Sequence, residues 1–453
     1  MQNNFLEYIK SNFDFSEKEF EEFKSSISKP LKKSIRVNTN KISVWEFKDI
    51  AKKRSWELTE TCNWKNMFYI DRDKDLKTAL GSTFEHISGL FYVQEVAAST
   101  SPYIMSWDKI DENEYLILDV SASPWGKTTQ LSEYYPNSII IANEFDKPRI
   151  KQLFTNIERM WSWNIWVTNY DGRFFKSVEN LFDKILLDAP CSWEWTCYKW
   201  TDAIKYWNIK NIKAIAKLQF WLIEWALRSV KVWWEVIYST CTLNKIENEQ
   251  VIEKILKKYS DKIEIIPTCE DWDFKRLWPH KDNTWWFFVA KIKKIKNLEE
   301  RETKKFEIKQ SIEKLSKKEE KNIKHFINDN FWEELIWNYH FYKQRDEIYV
   351  SEKNFSKLFD TLFFFKVGQQ IWTIKDWIFA PNHFLSEFFW LTNKVIEIND
   401  EKLLDRYLRW EDIEYTWDEK WYVTLKNWEF YIWTSEVKDW KIKNFLPTKL
   451  AKK

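Results

Sequence analysis

Two regimes of hydrophobic spacing divide the chain. Over the first hundred residues apolar side chains recur mostly at helical intervals, and a largely helical region is expected there. Ser16 and Glu19 are spaced as a capping box, with Phe15 and Phe20 at hydrophobic-staple spacing, so a helix should begin at 17. It should stop before Pro30. From about residue 111 the apolar residues gather into short β-branched runs: YLILDV (115–120), SIIIANE (138–144), KILLDAP (184–190) and EVIYSTC (235–241). Longer stretches with helical spacing, such as 127–135, 147–160 and 208–230, separate them. This alternation predicts an α/β unit of the Rossmann-like type, a parallel sheet with helices on both faces. FFVAKIKK (287–294) closes the unit.

The pattern divides the chain into an N-terminal region (1–110), the α/β unit (111–294), a Lys/Glu-rich stretch without Gly or Pro (295–325), and a final segment (326–453). The charged stretch reads as a helical or flexible linker. The final segment is rich in strand and turn signals and reads as a small α+β accessory domain.

The composition, 44% hydrophobic and 31% charged over 453 residues, is that of a globular chain and excludes a disordered one. No apolar run approaches the 18 or so residues of a membrane span, and the first fifteen residues lack a secretory pattern. Five cysteines (62, 191, 197, 241 and 269) are few and irregularly spaced, which points to reduced thiols in the cytoplasm. Cys191 and Cys197 lack a second Cys/His pair at zinc spacing, so no metal is expected. A net charge of +2 neither requires nor excludes nucleic acid.

Two residue counts change the picture. A chain of this length ordinarily carries about 32 glycines; this one has 5 Gly and 31 Trp. The deficit of one residue roughly matches the excess of the other. Many of the tryptophans fall in turns: Trp233-Trp234 between a helix and a strand, Trp285-Trp286 before FFVAK, and Trp125 directly before Gly126. Such places demand positive φ or close backbone approach, which only glycine supplies cheaply. Most tryptophans are therefore expected to stand where the gene encodes glycine, as when a UGA codon read as glycine is translated as tryptophan. Trp207 and Trp278 lie in less turn-like contexts and are candidates for genuine tryptophan.

The first α/β strand runs into Asp119-Val120-Ser121-Ala122-Ser123-Pro124-Trp125-Gly126-Lys127-Thr128. With Trp125 read as glycine this is a Pro-Gly-Gly-Lys turn opening a helix, where a ligand can approach the backbone. The glycine spacing before Lys127 excludes a phosphate loop. About twenty residues on, Glu144 ends the second strand, the usual place of a ribose partner. Asp171 follows the third strand and suits an adenine amino group. An isolated acidic residue is more often a solvated loop carboxylate, but the set at strand ends favours a nucleoside-containing ligand.

Two cysteines end later strands: Cys191 in Asp188-Ala189-Pro190-Cys191-Ser192, and Cys241 in Tyr238-Ser239-Thr240-Cys241-Thr242. Ligands bind at strand ends in doubly wound sheets, although a lone cysteine is ordinarily an inert buried hydrophobe. Cys62, Cys197 and Cys269 are assigned that ordinary role.

At these motifs the sequence resembles the NOL/NOP/Sun family of RNA cytosine-C5 methyltransferases, which use S-adenosylmethionine. DVSASPWGKTTQL resembles the cofactor motif Cys-Ala-Ala-Pro-Gly-Gly-Lys, with Ser121 and Ser123 as mild replacements. LLDAPCSWEWT resembles Asp-Ala-Pro-Cys-Ser-Gly-Glu-Gly-Thr, with Trp193 and Trp195 at the glycine places. VIYSTCTLNKIENE resembles the Tyr-Ser-Thr-Cys-Thr-Leu motif and its following acidic element, here Glu247-Asn248-Glu249. SIRVNTNK (34–41), GLFYVQEVAAS (89–99) and RLWPHKDNTWWFFVAKIKK (276–294) resemble further motifs, so the likeness spans about residues 30–294. APNHFLSEFF (380–389), YLRWEDIEYT (407–416) and KIKNFLPTKL (441–450) resemble the PUA-like RNA-binding tail of the bacterial small-subunit rRNA methyltransferase F group.

The resemblance implies a cytoplasmic enzyme acting on RNA, expected to be small-subunit (16S) rRNA, with tRNA as the alternative. It implies Cys241 as the nucleophile toward cytosine C6, and Cys191 as the group assisting C5 proton removal and product release. Asp188 would bond the cytosine edge, and Lys127 would lie near the thiols. Ser121, Ala122, Ser123, Pro124, Trp125, Gly126, Lys127, Glu144, Arg149, Asp171 and Asp188 would hold S-adenosylmethionine. The tryptophans at glycine places depart from the family, and if genuine they would crowd the cofactor turn. That leaves a catalytically dead RNA-binding assembly factor as an alternative from another class. Retention of Cys191, Cys241, Asp188 and Lys127 argues against it.

Overall fold

The computed structural model describes residues 2–450 apart from 62–64, 73–77, 124–125, 193, 195–206, 269–272, 300–307, 333–338, 355, 376–377, 390, 417–419, 429 and 448–449. The N-terminal part opens with helices Gln2–Asn12 and Glu17–Ile27. Ser16 Oγ accepts from Glu19 N at 3.2 Å, and Phe15 and Phe20 lie 6.5 Å apart between ring centroids. The capping box is half-closed, because the Glu19 carboxylate pairs with Lys281 instead. On either side of a further helix, Val44–Lys53, and before another, Thr100–Ser106, runs a four-stranded antiparallel sheet not anticipated from the spacing. Its strands are β1 (Ser34–Val37), β2 (Glu57–Glu60), β3 (Met67–Asp71) and β4 (Phe91–Val93), in the order β2-β3-β1-β4.

The central sheet is built from β5 (Leu116–Asp119), β6 (Ile139–Asn143), β7 (Ile165–Thr168), β8 (Phe182–Asp188), β9 (Val230–Thr240), β10 (Ile263–Ile266), β11 (Phe274–Leu277) and β12 (Phe287–Lys294). Its order is β10-β12-β9-β8-β5-β6-β7, with β11 on β12. The five strands from β9 to β7 are parallel and β12 runs antiparallel to β9. Helices Gly126–Tyr134, Lys147–Arg159, Ile209–Ser229 and Glu249–Lys258 supply the crossovers and covering layers. Strands β5 to β7 are buried throughout, as a sheet packed on both faces requires. The chain order reverses between β5 and β8, so the crevice beyond their C-terminal ends is the switch point where such sheets take ligands.

The N-terminal sheet is bolted to this layer through Arg36, which is fully buried. Its guanidinium donates to Gln94 Oε1 and Thr129 Oγ1, both at 2.8 Å, and pairs with Glu133. Gln94 donates onward to Gln130 Oε1 at 2.9 Å. A buried guanidinium is tolerated only when its charge and donors are met in this way.

Downstream, β13 (Glu313–Lys314), β14 (His340–Gln344), β15 (Glu347–Ser351), β16 (Gln369–Lys375) and β17 (Ile378–Pro381) form one antiparallel sheet. β18 (Val395–Glu397), β19 (Ile413–Glu414), β20 (Trp421–Asn427), β21 (Phe430–Lys438) and β22 (Lys441–Lys443) form another, ordered β18-β20-β21-β22-β19. The boundary expected at 325 falls inside a helix, Lys317–Phe331, which Ser316 and Glu319 start with a complete capping box. The exposed edge of β7 is covered by this part of the chain: Val167 N donates to Lys366 O at 2.8 Å, and Phe365 N donates back at 2.7 Å.

Thirteen described residues other than glycine have positive φ, and seven of them are tryptophan: 107, 161, 233, 332, 410, 428 and 440. Trp107 and Trp332 occupy left-handed helix C-caps, the position glycine dominates. Asp439 and Trp440, at φ of 54° and 58°, join β21 to β22 with both central residues left-handed, the Asp-Gly hairpin turn. Six of the seven are exposed, Trp233 by 67%, so little burial offsets the left-handed backbone. Trp207 and Trp278 behave differently. The Trp207 ring packs against Phe5 and Tyr8, and Trp278 sits among Phe13, Phe15 and Phe23.

Candidate active site

The cofactor-type turn leaves β5 at Asp119 and enters the helix at Gly126. Ser121, Ala122 and Ser123 lie in the turn; Pro124 and Trp125 lie outside the described residues. Ala122 N donates to Asn143 O at 2.9 Å, and Thr128 Oγ1 reaches back to Asp119 Oδ2 at 2.7 Å, closing the turn. Space at Gly126 is tight: a Cβ there would stand 3.1 Å from Gln94 Cδ and 3.2 Å from a Tyr92 ring carbon, so those side chains would have to give way by a few tenths of an ångström.

Asn143 ties three strand ends together. Its Nδ2 donates to Val120 O and Tyr170 O at 3.0 Å, and its Oδ1 accepts from Thr168 Oγ1 and Tyr170 N. Glu144 follows at the end of β6, buried, with Oε1 accepting from Asp146 N at 2.7 Å. Asp171 caps a short 3-10 turn through Arg173 N, and its ion pair with Arg173 holds the carboxyl below its ordinary pKa. Arg149, half-exposed, pairs with Asp146 at 3.6 Å.

Asp119 escaped the sequence reading. Burial pushes its pKa up to about 7, against the Thr128 hydroxyl and the Ser121 amide, and its Oδ1 is a buried acceptor that no well-formed hydrogen bond satisfies. An orphaned carboxylate oxygen beneath a strand-end turn calls for a donor from a ligand. That orphan, with Glu144 and Asp171 at the neighbouring strand ends, fits S-adenosylmethionine, whose donors include a cationic amine and ribose hydroxyls.

The reactive end of the crevice lies beyond β8 and β9. Asp188 ends β8; its Oδ2 accepts from Lys127 Nζ and its Oδ1 from Ser239 Oγ, both at 2.8 Å. Burial works against the Lys127 charge, but the Asp188 carboxylate more than compensates and holds its pKa above the ordinary value. Cys191, three residues after Asp188, is buried, and Cys241, directly after β9, is half-buried. The two thiols are close enough to act on each other electrostatically. Burial pushes the Cys241 thiol well above its ordinary pKa; Cys191 and the Asp188 charge push the same way, and Lys127 opposes them. The strand ends thus bring Cys191, Cys241, Asp188 and Lys127 into one cluster, reached from three different stretches of chain. The indoles of Trp285 and Trp286 stack at 4.2 Å beside this cluster, and Trp286 Nε1 donates to Cys241 O at 3.2 Å. Trp193 and Trp195 lie outside the described residues.

Residues 106–293 match the family described as 16S rRNA methyltransferase RsmB/F, and residues 1–96 match the N-terminal domain of 16S rRNA methyltransferase RsmF. The Ribosomal RNA small subunit methyltransferase F of Shewanella piezotolerans is 34% identical over 386 residues, 81% of this chain and 80% of that protein. The chain belongs to the RsmB/F methyltransferase family. The protein of the same name from Vibrio cholerae is also 34% identical, over 77% of this chain and 76% of its own length. Among solved structures, a methyltransferase homologue from Pyrococcus horikoshii has 26% identity and a TM-score of 0.52, covering 64% of this chain and 99% of that one. The RsmB/F sheet also superposes on NSun6 of the same organism (TM-score 0.55, 22% identity, 64% of this chain and 98% of that one), solved with the S-adenosylmethionine analogue SFG. The Rossmann-like methyltransferase fold expected from the motifs is therefore the fold observed. Among the described residues no helix is long and apolar enough to cross a membrane, and no cluster of metal-binding side chains occurs.

Proposed function

We propose that the protein methylates C5 of a cytosine in RNA, in small-subunit rRNA, using S-adenosylmethionine. One observation carries the proposal: the neighbouring thiols of Cys191 and Cys241 stand beside the Lys127–Asp188 pair at the strand-end crevice. S-adenosylmethionine, when bound, supplies an electrophilic methyl group. Ser121, Ala122, Ser123, Gly126, Lys127, Glu144, Arg149, Asp171 and Asp188, together with Asp119, are the described residues that would hold it; Pro124 and Trp125 belong to the same motif in the sequence.

Cytosine C5 is a poor nucleophile until C6 is substituted. The Cys241 thiolate bonds to C6 and the C5–C6 π electrons move to C5, which becomes carbanion-like. After methylation Cys191 takes the C5 proton, the C6–Sγ bond breaks, and the ring double bond re-forms with Cys241 returned as thiolate. Lys127 favours that thiolate by its charge. Asp188 orients Lys127 and accepts from the amino edge of the base. A base must leave its stack to reach such a crevice. The N-terminal part and a PUA-like RNA-binding tail would grip the RNA around it.

The reading applies to a chain with glycine at the turn positions. We infer that most tryptophan letters mark codons read as glycine in the source cell, which the seven left-handed tryptophans support.

The test is methyl transfer by glycine-restored protein to unmodified small-subunit rRNA, followed by bisulfite mapping. A single new 5-methylcytosine is expected. Methylation at another atom would overturn the chemistry, and methylation of tRNA alone would overturn the substrate.

A further inference from the structure

The loops that carry the two thiols are held together by an exchange of carboxylates. Glu247, six residues beyond Cys241, accepts at Oε2 from Ser192 N, the amide directly after Cys191, at 3.0 Å. Glu194, three residues beyond Cys191, accepts at Oε2 from Leu243 N, two residues after Cys241, at 2.7 Å. Each loop's carboxylate therefore grips the other loop's backbone.

Asn244 joins the two carboxylates, donating from Nδ2 to Glu194 Oε1 at 2.8 Å and to Glu247 Oε1 at 2.7 Å. Gln219 adds a second brace, donating to Glu247 Oε2 at 2.8 Å and to Pro190 O at 2.9 Å. Trp207 Nε1 donates to Glu194 Oε1 at 2.8 Å. Glu194, Gln219, Asn244 and Glu247 are all at least 98% buried. Two carboxylates removed from water are costly unless every oxygen is bonded. Nothing in the sheet requires carboxylates here, because neutral side chains could fill the same space. What they add is strong, directional acceptors between loops that diverge from separate strands.

We propose that Glu194 and Glu247 are positioning residues that fix the separation and orientation of the Cys191 and Cys241 thiols. The inference rests on the reading of those two cysteines as the reacting thiols. Both carboxylates are buried, and each acts through the backbone of the opposite loop. Misplacement of reacting groups by about 1 Å costs on the order of 100-fold in rate, so Glu194→Gln and Glu247→Gln should lower kcat roughly 10- to 100-fold. KM for S-adenosylmethionine should hold, since the turn that carries most of its proposed contacts follows β5 and Asp188 is fixed by Lys127 and Ser239 rather than by the clasp.

The experiment pairs steady-state kinetics with thiol cross-linking by dibromobimane, which reads the spacing of Cys191 and Cys241 without any methylation. Each Gln variant should cross-link more slowly and lose kcat with KM unchanged. The double Gln variant should be little worse than either single one, because both sides of one clasp are cut. Glu247→Asp, which keeps the charge, should recover part of kcat. Unchanged kcat and cross-linking in folded variants would overturn the proposal. So would a parallel loss of kcat, cofactor affinity and melting temperature, which marks a merely structural role. Should a Gln variant not fold, Gln219→Leu cuts the brace at both Pro190 O and Glu247 and is read by the same two measurements. Cys241→Ala separates the two ideas: activity retained there removes the thiol reading itself, whereas an inactive Cys241→Ala beside fully active Gln variants removes only the clasp.

Discussion

Lys127 Nζ stands 2.8 Å from Asp188 Oδ2, and the same ammonium is the charge that opposes the upward shift of the Cys241 thiol. Removing it should therefore make the thiolate scarcer. Lys127→Met is expected to lower the rate at neutral pH about tenfold, for a shift of about one pKa unit. The rising limb of the pH–rate profile should move to higher pH. A profile that keeps its position would show that the ammonium does not tune the thiol.

The two cysteines should fail in different ways. Cys241→Ala should abolish methyl transfer, a loss of at least about 1000-fold for a missing nucleophile. Cys191→Ala should stall after methylation and accumulate a covalent protein–RNA adduct, visible as a slow band on a denaturing gel. An adduct in Cys241→Ala instead would exchange the two roles.

Asp119 ties cofactor binding to pH. With its pKa near 7, the carboxyl is mostly neutral below that pH and ionised above it. A cationic amine from the cofactor is best met by the ionised form, so affinity for S-adenosylmethionine should rise as pH passes through about 7. Asp119→Asn should flatten that dependence and weaken binding about tenfold, as calorimetry would measure. Stability of the free protein should run the other way. The folded pKa lies above the ordinary 3.8, so between about pH 4 and 7 the native state holds a proton that the unfolded chain has lost. This contribution is therefore lost as pH rises through that window, and chemical denaturation of Asp119→Asn should lack it.

The left-handed tryptophans make a prediction that needs no RNA. Trp332→Gly and Trp440→Gly should each raise stability by about 0.5–1 kcal/mol, the relief of left-handed backbone less the entropy cost of glycine. Protein purified from its own cells should be lighter by the Trp–Gly difference at every recoded site, as intact mass would register. Full tryptophan mass together with UGG codons at 125, 193 and 233 would sink the recoding.

Much of the α/β unit was legible in the sequence because β5, β6, β8 and β9 are continuous apolar runs ending in chemically distinctive residues. Cys191 and Cys241 could be singled out because both follow such runs. The N-terminal sheet was not legible. β1 and β4 are only four and three residues long, and β1 is buried at every position, so neither offers an alternating pattern. Asp119, Asn143 and Glu194 were missed for another reason. Their partners are set by the packing of loops distant in sequence, and a lone carboxylate or amide beside a motif carries no local signal. Gly126 was read as a turn glycine, whereas its space is limited by Gln94 and Tyr92 from the N-terminal sheet.

The Arg36–Glu133 contact carries a lesson for anyone cutting this chain. Arg36 belongs to the N-terminal sheet, and Glu133 and Thr129 belong to the helix that the cofactor turn opens. A fragment beginning at the α/β unit would leave the buried Glu133 without its counter-ion, in the helix that follows the cofactor-type turn. The catalytic half is thus no free-standing cassette. The N-terminal sheet also braces the helix that the cofactor-type turn opens, so the two must be inherited, expressed and engineered as one piece.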